Sequence, residues 1–389
     1  MKHSIVICAA RRTAIGAFQG QFASVSSPQL GAAAIRAAMV DSGLDGADVS
    51  EVIMGCVLPA GTGQAPARQA ALGAGLPTSV ACSTLNKVCG SGMKAVMLGH
   101  DLIRAGSAEV VVAGGMESMS NAPYLVKRGL RMGHEQMLDH MFYDGLQNPY
   151  DGQMMGGFGE QCAAKYGFSR EDQDAFSRAS VERANRAIAE GLFSTEITPV
   201  TIKSRKGEIE ISIDEEPGRV SIDKIPTLRP AFARDGTITA ASSSKISDGG
   251  AALMLMSSDS AERHGAPVLA RIVAHATHSQ EPEWFTTAPV GAIAKVLEKA
   301  GWNAGQVDLY EINEAFATVT MAAMKEHGLA HDKVNIHGGA CALGHPIGCS
   351  GARLLVTLIH ALRSTGGKRG VASLCIGGGE ATAVAVELG

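Results

Sequence analysis

Lys87-Val88-Cys89-Gly90-Ser91-Gly92 and Ile347-Gly348-Cys349-Ser350-Gly351 are the two stretches from which the fold can be read. Ser91-Gly92 opens a helical pattern, with Met93, Val96, Met97 and Leu102 at helical spacing and Gly106 as its stop. Ser350-Gly351 opens a second pattern that ends near Gly366, at an offset of 259. Upstream, Ala37-Ala38-Met39-Val40-Asp41-Ser42-Gly43 returns as Lys295-Val296-Leu297-Glu298-Lys299-Ala300-Gly301, at an offset of 258. Downstream, Val111 to Glu117 matches Ser373 to Glu380, with Gly114-Gly115 on Gly377-Gly378 at an offset of 263. Three matches in order, at nearly constant offset, predict two related halves.

Each half alternates helices with strands, which predicts layered sheets covered by helices, an α/β fold. Glu109–Ala113 reads as a short buried strand, and 371–376 as its counterpart. Residues 381–388 alternate and join 371–376 through Gly377-Gly378-Gly379, a hairpin. The start, Met1 to Cys8, enters a strand at once. Between the halves the composition changes: Lys127–His140 is rich in Met, Arg and His, Ser169–Glu190 is a polar helix with Ser169 as N-cap, and 197–222 holds charged strand-like segments. The expected division is 1–118 with 249–268 as the first half, 119–248 as an inserted loop domain for substrate or subunit contacts, and 269–389 as the second half.

The 389 residues carry 34 Lys+Arg against 38 Asp+Glu, a net charge of −4, and no basic block, which argues against a nucleic-acid groove. With 46% hydrophobic residues the chain has ample material for a core, so disorder is excluded as well. The longest uncharged runs, Val52–Ala67 and Gln69–Asn86, are broken by Gly, Pro, Ser and Asn, so no membrane span is expected. Eight cysteines (Cys8, Cys56, Cys82, Cys89, Cys162, Cys341, Cys349 and Cys375) contain no Cys-x-x-Cys pair. With no targeting signal recognised at either end, they are expected to be reduced thiols of a cytoplasmic protein.

Cys89 precedes a helix, where the macrodipole favours a thiolate, and its flanking glycines admit a close substrate. The other reading is a buried cysteine in a tight turn. His345, in Gly344-His345-Pro346-Ile347-Gly348, sits at the equivalent turn of the second half and can meet that thiol as a base across a pseudo-dyad. Cys375 ends a strand before three glycines, whose N–H groups can form an oxyanion hole. Asn313-Glu314-Ala315-Phe316 follows the strand Val307–Ile312; Asn313 can stabilise an oxyanion or cap a helix. Gly90-x-Gly92-x-x-Ala95 matches a loose dinucleotide fingerprint, yet Ser83 to Lys87 is not a hydrophobic strand running into the turn, so NAD binding is not expected. His327 and His331 lack a third ligand, because Gly328 ends their helix; His275 and His278 also lack a ligand set, so no catalytic metal is expected.

Together, Asn86 to Gly92, Asn313 to Phe316, Gly344 to Gly348 and Cys375 to Gly379 resemble the thiolase family, most closely its acetyl-CoA acetyltransferases. Ala9 to Gly16 and Gly114 to Ser120 extend the resemblance over the whole chain. It implies a duplicated five-layer α-β-α-β-α fold with a loop domain, assembled as a homotetramer, with Lys127–His140 resembling the tetramerisation loop. It also implies a reversible Claisen condensation of two acetyl-CoA to acetoacetyl-CoA and CoA, thiolysis being the reverse. Cys89 would accept the acetyl group, His345 would take its proton, and Cys375 would deprotonate the second acetyl-CoA. Asn313, through a water, and His345 would stabilise the enolate, while the N–H groups of Cys89 and Gly377 would form the hole for the tetrahedral intermediate. Ser244, Met155 and Phe285 match pantetheine or acyl-pocket positions, and Arg219 lies near an arginine that contacts the adenosine phosphate. The partners implied are coenzyme A thioesters as substrates, with no separate cofactor. The alternatives are a broader 3-ketoacyl-CoA thiolase, a ketoacyl synthase (disfavoured because Asn313 stands where a second histidine is expected) and an inactive CoA- or lipid-binding module.

Overall fold

The computed structural model describes residues 4–129, 131–204 and 207–389. Of the segments read above, Met1 to His3, Leu130, Arg205 and Lys206 lie outside the described residues. The first half comprises β1 (Ile5–Thr13), α1 (Ser27–Ser42), β2 (Glu51–Gly55), α2 (Pro66–Ala74), β3 (Ala81–Leu85), α3 (Ser91–Ala105) and β4 (Val110–Ser118). The insertion carries α4 (Met155–Tyr166) and α5 (Arg170–Ala189), and the chain then returns to the first sheet as β5 (Ser247–Ser257). The second half comprises β6 (Ala270–Ser279), α6 (Ala288–Ala300), β7 (Leu309–Ile312), α7 (Ala317–His327), α8 (Ser350–Thr365), β8 (Arg369–Ile376) and β9 (Glu380–Glu387).

The two sheets repeat one topology. In the first, β1 pairs antiparallel with β5, β5 antiparallel with β4, β4 parallel with β2, and β2 parallel with β3. In the second, β6 pairs antiparallel with β9, β9 antiparallel with β8, and β8 parallel with β7, whose Tyr310 bridges in parallel to Val334. The halves meet where β1 pairs antiparallel with β6, at Val6–Arg271 and Ile7–Ala270, so the two sheets are joined edge to edge through this pair. Helices α1 and α2 cover the outer face of the first sheet over Val52, Met54, Val112 and Met254. Helices α6 and α7 cover the outer face of the second over Tyr310, Ile312 and Val371. Between the sheets lie α3 and α8, which bury Val96, Leu355 and Leu358 against Val111 and Leu253 on one side and Leu374 and Val384 on the other. Each such side chain contributes about 1.5–3 kcal/mol on burial. The result is the expected five layers.

The paired Ser-Gly sequences explain how two helices share that middle layer. A Cβ on Gly92 would meet the backbone N of Ala352 at 2.8 Å, and one on Gly351 the backbone N of Met93 at 2.4 Å. Each helix therefore needs glycine in its first turn so that its partner can approach. The third match of the repeat has a different outcome. Gly114 and Gly115 lie inside β4, which runs to Ser118 rather than stopping at Ala113, because a Cβ at either would strike a carbonyl oxygen, Ala251 O or Gly348 O, at 2.0 Å. Gly377–Gly379 instead form the turn between β8 and β9, with positive φ at Gly378 and Gly379. β9 is also buried along both faces rather than alternating, because helices cover its sheet on both sides.

The insertion is pinned to the core by Arg12 of β1. Its buried guanidinium donates to Glu196 at 2.5 Å and to both oxygens of Asp214 at 2.7 and 2.9 Å. Ser169 caps α5 by accepting from Asp172 N at 3.1 Å, as its sequence predicted. Part of 197–222 forms the hairpin Val200–Ser204/Gly207–Ile211. Among the described residues no helix is long and apolar enough to cross a membrane.

Candidate active site

Cys89 stands between β3 and α3 in a strained turn. Val88 holds φ 45°, a left-handed conformation that costs a β-branched residue about 1–3 kcal/mol. Local bonds enforce it: Val88 N donates to Asn86 Oδ1 at 2.9 Å, and Ser91 Oγ accepts from Lys87 N at 2.8 Å and donates to Val88 O at 2.7 Å. The turn leaves the Cys89 side chain half-buried, with its own N–H and that of Gly377 directed at the sulfur. These donors favour the thiolate, but burial outweighs them and pushes the thiol up to about 11. The sequence expectation of a helix-stabilised thiolate is thus reversed in the resting site, since a terminal dipole is worth only about 0.3–1 kcal/mol.

Cys375, one residue from the end of β8, is buried against Phe285, Phe316 and Met155. Burial pushes its thiol well above the ordinary value, and the charge of an ionised Cys89 pushes it further, so the two sulfurs act on one another. His345 is buried on the loop before α8, where its backbone N donates to Lys245 O at 2.9 Å. Ser350 Oγ lies 2.5 Å from His345 Nδ1 and donates its own proton to Pro346 O at 2.9 Å. The hydroxyl therefore accepts from Nδ1–H, which leaves the lone pair of Nε2 as the free base. Burial, with the Arg353 charge behind it, holds His345 down near 3, so the imidazole is neutral. Asn313 Nδ2 lies 3.4 Å from that Nε2, and Asn313 Oδ1 is buried without a partner among the described residues, ready for a donor such as water. Asn313 caps no helix, because α7 begins at Ala317 with Phe316 at its N-cap.

His345 lines an apolar cleft of about 190 Å³ together with Met155, Ser244, Phe232, Phe316 and Ile347, among others; Cys89 packs against Ile347, and Cys375 against Phe316 and Met155, behind its wall. A larger surface depression of about 700 Å³ near Glu109 and Arg263 contains none of them. Phe232 lies directly on α4, where a Cβ on Gly156 would meet its ring at 2.2 Å, so the glycine in Met154-Met155-Gly156-Gly157-Phe158 shapes this wall. Phe285 packs edge-on to Phe158 behind Cys375 and does not line the cleft. Arg219 is apart from it too: its exposed guanidinium pairs with Glu215 at 3.2 Å.

Two buried carboxylates that hold the site were not singled out for that role. Glu117 accepts from Val57 N, Leu58 N and Gly348 N at 2.9, 3.2 and 2.9 Å, tying the loop after β2 to the His345 loop. Glu314 accepts from Ser180 Oγ, Asn335 Nδ2 and Cys341 N at 2.7, 2.8 and 3.0 Å. The signal for both was an acid at the end of an apolar strand, where solvent cannot satisfy it. The dinucleotide fingerprint dissolves: Gly90 admits Ile376 and Gly92 admits α8, so these glycines serve packing. Ala81–Leu85 is nevertheless a strand, polar because it is an exposed sheet edge. His327 Nε2 donates to Val290 O at 3.0 Å, and His331 stacks on Phe176, so each imidazole is engaged elsewhere. His275, expected to lack a ligand set, does not: tertiary folding brings His100 and Asp101 to it.

Comparison with known proteins gives this geometry its class. The thiolase N-terminal domain matches residues 5–259 and the thiolase C-terminal domain residues 266–388. The chain belongs to the thiolase family. It is 50% identical to the acetyl-CoA acetyltransferase of Pseudomonas aeruginosa, over 98% of each chain. It superposes on the crystal structure of the Bacillus anthracis acetyl-CoA acetyltransferase with a TM-score of 0.97 at 40% identity, covering 100% and 99% of the two chains. The Acat5 thiolase from Ascaris suum in complex with coenzyme A gives 0.94 at 41% identity, covering 99% and 100%.

Proposed function

We propose that this thiolase is an acetyl-CoA acetyltransferase that condenses two acetyl-CoA to acetoacetyl-CoA and CoA, and cleaves the product in reverse. The observation that carries the reading is the meeting of two thiols, Cys89 of the first half and Cys375 of the second, beside the apolar cleft that the neutral His345 lines. Family membership and the names of its relatives support it.

Cys89 Sγ attacks the thioester carbonyl while His345 Nε2 takes its proton. A resting pair of thiol and neutral imidazole makes that transfer simultaneous with attack rather than prior to it. The N–H groups of Cys89 and Gly377 face the developing oxyanion, and His345 returns the proton to the leaving CoA sulfur. Once acetylated, Cys89 can carry no charge to oppose ionisation of Cys375, which acts as the thiolate. Cys375 then takes a methyl proton from the second acetyl-CoA, and the enolate oxygen is held by His345 and by a water on Asn313. The carbanion attacks the acetyl-Cys89 carbonyl, the C–S bond to Cys89 breaks to release acetoacetyl-CoA, and the Cys89 thiolate takes the proton held by Cys375, which restores the resting thiol. Ser244 and Met155 contact pantetheine, with Phe285 backing the pocket and Arg219 near the adenosine phosphate. The thioesters are substrates rather than cofactors.

The protein works as a homotetramer in the cytoplasm, with residues 119–248 as the loop domain that contacts substrate and subunits. Tyr124, Met132, Met137 and Tyr143 are exposed on that segment, and β3 is an uncovered edge; both features call for partners. The test of the activity is intact-protein mass spectrometry after incubation with acetyl-CoA, followed by peptide mapping. One acetyl group on Cys89 is expected, and the absence of acylation, or its placement on another residue, overturns the reading. Thiolysis across acyl lengths separates it from a broad 3-ketoacyl-CoA thiolase, and light scattering measures the assembly.

A further inference from the structure

Helix α3 carries the Cys89 turn at one end and a second cluster near the other. Among the described residues, His100, Asp101 and His275 are the one set of His, Cys, Asp or Glu donors that all lie within 4.8 Å of one another. We propose that these three side chains bind one divalent first-row transition ion of the Zn2+ type.

The distances carry the argument. His100 Nδ1 and His275 Nε2 each lie 2.9 Å from Asp101 Oδ1, and 3.2 Å from one another. Hydrogen bonds alone do not satisfy this triangle. If both nitrogens donate to the carboxylate, their N–H groups crowd each other; if one donates to the other, a lone pair is left facing the carboxylate. A cation at the apex resolves it by accepting all three lone pairs. Donors about 2.0–2.2 Å from one ion lie about 3 Å apart at octahedral angles and about 3.4 Å apart at the tetrahedral angles of Zn2+, and the donors here sit at the short end of that range. The imidazole planes meet at 87° with centroids 4.8 Å apart, so the nitrogens converge edge-on rather than through stacked faces.

The chemistry selects the ion. Two imidazoles and one carboxylate suit Zn2+, Co2+ or Ni2+ and leave Ca2+ and Mg2+ short of oxygen ligands. The His100 and His275 side chains are 9% and 17% exposed, whereas Asp101 is 52% exposed, so water completes the coordination from the Asp101 side. The Lys299 ammonium, the nearest cation on α6, is engaged at 3.0 Å by the carbonyl oxygen of His275. The site clamps α3 of the first half to β6 of the second. It lies about 14 Å along α3 from the Cys89 turn, outside the acyl chemistry. Binding to the native chain alone raises its stability.

The test titrates metal-free protein, its accessible cysteines alkylated with iodoacetamide, with Zn2+ by calorimetry. One ion per chain and a higher Tm are expected. His275→Gln and Asp101→Asn each weaken binding about tenfold or more and remove the rise in Tm, while the unalkylated variants keep parental thiolysis activity. Co2+ added to unalkylated parent gives d–d bands without a thiolate-to-metal charge-transfer band. The proposal is overturned if the alkylated parent binds no Zn2+, if both variants bind as the parent does, or if the cobalt spectrum shows thiolate ligation.

Discussion

The turn before α3 and the turn before α8 descend from one repeated design and end in opposite states. Both open on Ser-Gly, and both place glycine where the neighbouring helix backbone would collide with a Cβ. The first holds a strained Val88 and leaves Cys89 half-buried against Ile347. The second buries His345 and fixes its tautomer through Ser350, which leaves a lone pair on Nε2. The repeat brings Cys89 against Ile347, two residues from His345; asymmetry of burial and hydrogen bonding then gives the two turns different chemistry.

Breaking the nucleophilic side has the largest expected effect. Cys89→Ser should lower acyl transfer by about 10⁴-fold or more, as losing one member of a catalytic unit does, and should leave no acetyl adduct in the mass spectrum. An adduct formed at the parental rate would refute the assignment. Cys375→Ala should still acetylate on Cys89 yet lose about 10²–10⁴-fold in condensation, the range of a general acid–base group; unimpaired condensation would reassign the second thiol. Asn313→Ala should cost about 10²–10³-fold in the same step with acetylation preserved, read from single-turnover kinetics of the two stages.

Smaller effects sharpen the structural half of the comparison. Gly351→Ala should destabilise by about 1–3 kcal/mol or more, because its Cβ meets the Met93 backbone at 2.4 Å. Gly92→Ala should behave alike, and an unchanged denaturant midpoint in either would show that α3 and α8 can separate freely. The His345 pKa falls from 6.5 to near 3 in the folded chain, so the unfolded chain takes up the proton first as pH drops. This contribution to stability is full above about pH 6.5 and is lost toward pH 3, by up to about 1.4 kcal/mol per pH unit. His345→Gln should therefore show a shallower acid decline in Tm than the parent between pH 6.5 and 4; parallel declines would contradict a buried neutral imidazole.

Much of the candidate site was legible because it rests on local chemistry. A cysteine at a helix start, a histidine at the matching turn and a thiol before three glycines could be paired through the repeat. What misled was punctuation. The strand read as Glu109–Ala113 runs on through Gly114-Gly115, whereas the aligned Gly377–Gly379 is a turn, since only the neighbouring carbonyl of Ala251 or Gly348 distinguishes the cases. Asn313 looked like a cap, yet the helix waits until Ala317. Glu117 and Glu314 passed as ordinary acids because their partners are backbone and side-chain donors far along the chain. His275 looked isolated because its neighbours are 174 and 175 residues away.

The amino-acid order alone determined the duplication, the alternation of helix and strand, and the reactive residue types, all of which follow from periodicity and from short-range steric preference. Tertiary structure alone decided whether the thiol would be ionised, which imidazole nitrogen would be free and which distant donors would meet. Those properties depend on desolvation and on partners supplied by other elements, and neither exists until the two sheets close over α3 and α8.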